Sequence, residues 1–152
     1  MNIKIIGCGN PLAGDDGVGV HVINQLKTMV LPAHVELLEG GTDPINLLEM
    51  LRCAEKVVLV DAVKGGGEPG KVFLLGIDQL ELDTAAGELS LHQFNLAHVL
   101  RLGQALFPRE MPREMVVVGV EAENTDPYNT RLSPAVGKAL PQIIQRILKE
   151  IF

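Results

Sequence analysis

The sequence has few charged residues, few cysteines and no long apolar run, and each shortage excludes a class of protein. Charged residues make up 21% of the chain and apolar residues 47%, a balance typical of a folded globular protein rather than a disordered one. The net charge of −6 argues against a nucleic-acid-binding surface and against an anionic membrane as partner. At this length we expect residues 1–152 to form a single domain.

No apolar run approaches the roughly 20 residues that a membrane span needs, and no signal peptide opens the sequence. We therefore expect a cytoplasmic protein without a membrane partner. The two cysteines, Cys8 and Cys53, have the spacing of neither a metal site nor a redox motif. We predict that both are reduced, buried thiols.

The segment Gly7–Gly17 is a loop with four glycines, and the rest of the chain is organised around it. It follows an apolar run, Ile3–Ile6, that predicts a strand, and it precedes helical apolar spacing from Val18 to Val30. The glycines are similar to those of a dinucleotide-binding loop, but Leu12 occupies the place of the third glycine of G-x-G-x-x-G. The pattern is therefore an incomplete nucleotide motif.

Two adjacent carboxylates, Asp15 and Asp16, stand where this loop meets the predicted helix. They put negative charge at a helix N-terminus, where a phosphate would otherwise bind, so the loop favours a cation. Asp is also a preferred N-cap, and we expect Asp15 to cap the helix or to be solvated. One helix does not need two caps, which leaves Asp16 as the candidate functional residue.

The rest of the chain alternates strands with helices. Further strands are predicted at 35–39, 56–61, 72–75 and 115–121, and further helices begin at Pro44, Ser90 and Pro134. The unbroken apolar run of the third strand predicts a central strand covered on both faces. The connection 63–70 is too short for a parallel crossover, so the fourth strand should run antiparallel to the third. Pro141 should kink the last helix or divide it.

Three potential metal ligands, Asp16, Asp61 and His92, follow different predicted elements. Asp16 comes after the first strand, Asp61 ends the third, and His92 lies in the first turn of the helix that begins at Ser90. Parallel strands bring Asp16 and Asp61 to one edge of the sheet. The helix dipole favours neutral imidazole at His92, which is the form that binds a metal. Oxygen and nitrogen donors without cysteine suit zinc or nickel.

Several short motifs occur in a characteristic order along the whole chain. They are Gly7-Cys8-Gly9-Asn10, Gly14-Asp15-Asp16-Gly17, Glu39-Gly40-Gly41-Thr42, Val60-Asp61-Ala62, Ser90-Leu91-His92-Gln93, Val118-Gly119-Val120-Glu121 and Leu132-Ser133-Pro134. This series resembles that of the hydrogenase maturation proteases, which trim the C-terminal extension of the large subunit of nickel–iron hydrogenases. The resemblance implies a three-layer α/β/α fold, phosphorylase/hydrolase-like, with a five-stranded mixed sheet whose fourth strand is antiparallel.

The resemblance also implies roles for individual residues. The family's metal-contacting positions match Asp16, Asp61 and His92, and the candidate catalytic carboxylates are Asp16, Asp61 and Glu39. The metal would be nickel already inserted in the substrate, so no tightly held cofactor of the protein's own is expected. The partner would be the nickel-loaded large-subunit precursor, and we expect the protease to be a monomer of aspartyl type.

Two alternatives remain open at this point. A zinc metallohydrolase could hold its own metal through Asp16, Asp61 and His92. A nucleotide-binding module is the other alternative, since Glu39 ends the second strand where a ribose-binding acid would lie. Within the protease interpretation, either a polarised water or a carboxylate acting as base could begin the attack on the peptide.

Overall fold

The computed structural model describes residues 1–76 and 96–152, and the helices and strands of this part form a layered α/β structure. The strands are β1 (Ile3–Cys8), β2 (Val35–Gly41), β3 (Lys56–Val63), β4 (Val72–Gly76) and β5 (Glu114–Glu121). The helices are α1 (Val18–Leu26), α2 (Pro44–Leu51), α3 (Leu96–Leu106) and α4 (Pro134–Ile151), with a 3₁₀ turn at Gly14–Gly17. The helix start predicted at Ser90 lies outside the described residues.

The five strands form one mixed sheet in the order β2-β1-β3-β5-β4. Strands β2, β1, β3 and β5 are parallel, and β4 pairs with β5 in antiparallel orientation, with Leu74 opposite Val118. The prediction of an antiparallel fourth strand is confirmed. Its neighbour, however, is β5 rather than β3, because β5 lies between them. The apolar strand β3 occupies the centre, as predicted.

Two apolar cores cover the two faces of the sheet. Side chains of α1 and α4 fill the core on one face, and side chains of α2 and α3 fill the core on the other. The three-layer α/β/α architecture predicted from the motif series is therefore confirmed. Among the helices of the described ranges, none is both long and apolar enough to cross a membrane.

Capping residues define where two of the helices begin. The Asp43 side chain accepts a hydrogen bond from the Ile45 N–H at 2.9 Å, with Pro44 at the start of α2. Ser133 caps α4 in the same way. Helix α4 continues through Pro141 to Ile151, so of the two expected effects of Pro141, a kink or a division, the division did not occur. Its large apolar face, packed on the sheet, outweighs the single hydrogen bond that proline removes.

Glycines at two facing positions let α1 approach the sheet closely. A Cβ on Gly7 would lie 2.2 Å from the carbonyl oxygen of Gly19, and a Cβ on Gly19 would lie 2.4 Å from the carbonyl oxygen of Cys8. The same Gly19 Cβ would lie 2.8 Å from the carbonyl oxygen of Val60. The first turns of α1 are therefore seated on the carboxyl ends of β1 and β3, which places the preceding 3₁₀ turn at that edge.

Replacing Gly19 by Ala should destabilise the protein by about 3 kcal/mol, because the added methyl group meets rigid backbone rather than a movable side chain. Gly137→Ala in α4 is a matched control, since a Cβ there meets no atom within 4 Å. The control should unfold at an equal or higher temperature, with a gain of up to about 1 kcal/mol. Chemical denaturation of both variants measures the difference. Equal stability would refute the close-packing role of Gly19.

Candidate active site

The first candidate residue, Asp16, is buried in the 3₁₀ turn at the carboxyl end of β1. Its Oδ2 accepts a hydrogen bond from the backbone N–H of Asn10 at 3.0 Å. The side chain of Asn10 in turn accepts from the N–H of Leu12 at 2.9 Å, which fixes the turn that presents the Asn10 amide. The loop therefore determines the orientation of the Asp16 carboxylate.

The second candidate, Asp61, is buried near the carboxyl end of β3, two residues before the strand ends. Its Oδ1 accepts from the N–H of Ala62 at 2.9 Å. The parallel register pairs Gly7 of β1 with Val60 of β3, so Cys8 and Asp61 follow on adjacent strands and share the sheet face that α2 and α3 cover. The structure brings Cys8 and Asp61 together.

The thiol of Cys8 shows that both carboxylates lie close by. Burial raises the pKa of Cys8, and the negative charges of Asp61 and then Asp16 raise that pKa further. The thiol is therefore protonated at neutral pH. Because both carboxylates raise the pKa of this one thiol, Asp16 and Asp61 both lie near Cys8. The prediction of a buried thiol is correct for Cys8 but wrong for Cys53, which is exposed in the turn after α2.

The third candidate carboxylate, Glu39, does not join this pair. Glu39 lies opposite Gly7 in the β1–β2 register and thus on the sheet face that α1 covers, whereas Asp61 lies on the other face. Its side chain is 49% exposed and lies 3.6 Å from the ammonium group of Lys27. This placement gives Glu39 no direct contact with the two buried carboxylates and does not support its expected catalytic role.

The candidate metal ligand His92 lies outside the described residues. Within residues 1–76 and 96–152, no three His, Cys, Asp or Glu side chains are placed to hold a metal ion. Asp16 and Asp61 are thus the members of the predicted ligand set that the structure describes, and their carboxylates suit a divalent cation.

The glycine loop is already saturated with internal hydrogen bonds. The N–H of Gly9 donates to the carbonyl of Gly41, and those of Gly14 and Asp15 donate to carbonyls of the 122–133 loop. The amides of Asn10, Leu12, Ala13 and Asp16 donate within the loop itself. A phosphate site at a helix start depends on backbone donors that point at the ligand. The nucleotide-binding alternative is therefore disfavoured.

Asp15 has a different role from the one predicted. It is 0% exposed and makes no cap bond to its own helix. Its Oδ2 accepts from the Glu123 N–H at 2.9 Å, from the Asn124 N–H at 3.1 Å and from the Ser133 hydroxyl at 2.8 Å. Its Oδ1 accepts from the Ser133 N–H at 2.7 Å. The expectation of a capping or solvated Asp15 is wrong, because distant loops supply its donors.

Sequence reasoning also assigned no role to Glu121, a buried carboxylate at the end of β5. Its Oε1 accepts from the N–H groups of Gly65 and Gly67, each at 3.0 Å, and so holds the glycine-rich loop that follows β3. Its position in the sequence could have indicated a role, since Glu121 ends a nearly apolar strand much as Asp61 does.

Comparisons with known proteins find relatives that match most of the chain. A sequence model of the family described as hydrogenase maturation protease matches residues 20–150. The hydrogenase 2 maturation protease of Escherichia coli is 30% identical over 97% of this chain and 89% of its own length. The hydrogenase expression/formation protein HupD of Rhodobacter capsulatus is 31% identical over 98% of this chain and 70% of its own length.

A solved structure agrees over nearly the whole chain. The hydrogenase-maturating endopeptidase HybD from Escherichia coli superposes with a TM-score of 0.85 at 30% identity, covering 99% of this chain and 91% of HybD. The fold and these likenesses identify a peptidase. The chain belongs to the hydrogenase maturation protease family.

Replacing Asp15 by Asn should lower the unfolding free energy by about 1–3 kcal/mol, because an amide NH₂ would face N–H and O–H donors that now bind a carboxylate. Asp43→Asn is the matched control, since Asn is an equally good cap for α2 and the site is exposed. Thermal and urea denaturation measure both variants. An unchanged midpoint for Asp15→Asn would contradict the anchoring role.

Proposed function

We propose that this protease removes the C-terminal extension of the large-subunit precursor of a nickel–iron hydrogenase after nickel has been inserted. Asp16, Asp61 and His92 would contact the nickel carried by the substrate, so that the site distinguishes a loaded precursor from an empty one. Membership of the maturation protease family supports the substrate class. The ligand assignment of His92 rests on the motif series.

The observation that carries the proposal is the convergence of Asp16 and Asp61 beside the neutral thiol of Cys8. Their carboxylates come from different elements, and one oxygen of each is held by a backbone N–H. Such anchoring orients a carboxylate before a ligand arrives and reduces the entropic cost of binding. Negative potential at this edge attracts a divalent cation, and oxygen donors suit nickel in its divalent state.

The same two carboxylates can serve the peptide hydrolysis. A divalent cation supplied with the substrate polarises a carbonyl or a water molecule. A carboxylate within hydrogen-bond reach of the attacking water can accept its proton and later return it to the leaving amine. Asp16 and Asp61 are both buried and held in place, which suits them to this proton transfer. Glu39, on the other face of the sheet, has no part in the proposal.

Incubation of the protease with nickel-loaded and with nickel-free precursor tests the proposal, with intact mass spectrometry of the large subunit as the measurement. Loss of a C-terminal peptide is expected from the loaded precursor alone, because the carboxylate site needs a cation to complete it. Cleavage of both forms by a preparation containing stoichiometric zinc would favour the metallohydrolase alternative. Intact loaded precursor after prolonged incubation would refute the proposed function.

Asp16→Asn should fold almost as well as the wild type, since the amide oxygen can still accept from Asn10. Because the variant loses a negative charge, its rate of cleavage of loaded precursor should fall steeply. Loss of a residue that only hydrogen-bonds to a metal ligand typically costs roughly 10–100-fold, and the loss here should be larger. Initial rates and thermal midpoints are measured together. A normal cleavage rate in Asp16→Asn would contradict its role as a ligand.

Glu39→Gln is the matched control for this experiment. It also removes one negative charge at the end of a strand, but from the opposite sheet face and from an exposed ion pair with Lys27. Exposed ion pairs contribute little to stability, so both the cleavage rate and the thermal midpoint should remain close to wild type. A large loss of cleavage in this control would restore Glu39 to the catalytic set.

A further inference from the structure

Tyr128 is the single tyrosine of the chain, and it lies in a turn of the loop that follows β5. Its side chain is 95% exposed, and its backbone has φ of +63°, a left-handed conformation that bulky residues seldom adopt. Strained backbone positions of this kind persist only where the surrounding structure enforces them, and they concentrate at functional sites. The strain at Tyr128 is accompanied by no burial of its ring.

Leu12, the residue that interrupts the nucleotide motif, is a second exposed apolar side chain on a neighbouring loop. It is 55% exposed, although it lies in a loop that is otherwise closely bonded. The N–H of Asn129, the residue after Tyr128, donates to the carbonyl of Leu12 at 2.9 Å, and Ala13 pairs with Asn129. We refer to Leu12 and Tyr128 together as the rim pair.

A short series of hydrogen bonds connects the rim pair to the candidate site. Asn129 donates to Leu12, the N–H of Leu12 donates to the Asn10 side chain at 2.9 Å, and the N–H of Asn10 donates to Asp16 at 3.0 Å. The rim pair therefore has a fixed position relative to Asp16. A protein that bound the rim pair would be held in a defined register against the carboxylates.

We propose that the folded body of the precursor docks on the rim pair, an inference that rests on the proposed function. This contact determines the affinity of the protease for its substrate. An extended tail is bound by grooves and by backbone pairing, whereas a protruding aromatic side chain fits a pocket on a folded partner. Tyrosine and apolar anchors of this kind dominate protein interfaces. The continuity with Asp16 favours the substrate over an unrelated partner.

The test uses the double variant Leu12→Ala, Tyr128→Asn, because Asn tolerates the left-handed conformation and the loop should keep its shape. With nickel-loaded precursor, KM should rise at least about tenfold while kcat stays within about twofold. The mature large subunit, which lacks the tail, should bind wild-type protease, and its Kd should rise by a similar factor in the double variant. A binding titration of the mature subunit against immobilised protease measures this Kd, and no cleavage takes place in it.

Val30→Ala is the control, since Val30 is an exposed apolar residue too, at 98%, but lies beyond the far end of α1. Its KM and Kd should match those of the wild type. An unchanged KM in the double variant would overturn the docking proposal, and so would failure of the mature subunit to bind wild-type protease. If the wild type formed a dimer that the double variant lost, the rim pair would be a contact between two copies of the protease, which would also overturn the proposal. Failure of the wild type to cleave loaded precursor would instead count against the proposed function, because binding of the mature subunit is measured separately.

Discussion

The buried carboxylate of Asp15 connects segments of the chain that lie more than a hundred residues apart. It accepts hydrogen bonds from the backbone of Glu123 and Asn124 and from both the backbone and the hydroxyl of Ser133. A buried charge is tolerated only when it is fully hydrogen-bonded, so these partners must be held in place. The loop after β1, the loop after β5 and the start of α4 are thereby fixed as one unit. Both Asp16 and the rim pair belong to that unit.

The close packing of α1 on the sheet is the second constraint on the site. Gly7 and Gly19 bring the first turns of α1 against β1 and β3, which sets the distance between the 3₁₀ turn and Asp61. The two carboxylates then act together on the buried thiol of Cys8, whose pKa is raised by burial and by both charges. A neutral thiol near the two carboxylates adds no further negative charge. The local potential therefore remains suited to a divalent cation.

The order and type of the described elements were predicted from the sequence because their apolar patterns are strong. The β-branched run of β3 indicated a central strand, and the Asp43-Pro44 and Ser133-Pro134 pairs indicated helix starts, all of which the structure confirms. The partner of β4 was not predictable, since strand order depends on contacts between distant segments. The exposure of Cys53 and the continuity of α4 through Pro141 likewise depend on packing that no local pattern records.

For the site, the sequence by itself determined that Asp16 and Asp61 would lie at one edge of a parallel sheet, because strand direction follows from the alternation of strands and helices. The sequence also favoured Asp16 over Asp15 as the candidate functional residue, but only the tertiary structure decided that Asp15 anchors distant loops. Asp15 and Asp16 have the same side chain, but the 3₁₀ turn directs the two side chains differently. The groups that donate hydrogen bonds to Asp15 lie more than a hundred residues further along the chain. The face occupied by Glu39 was decided in the same way, by a strand register that a single residue of slippage would have reversed.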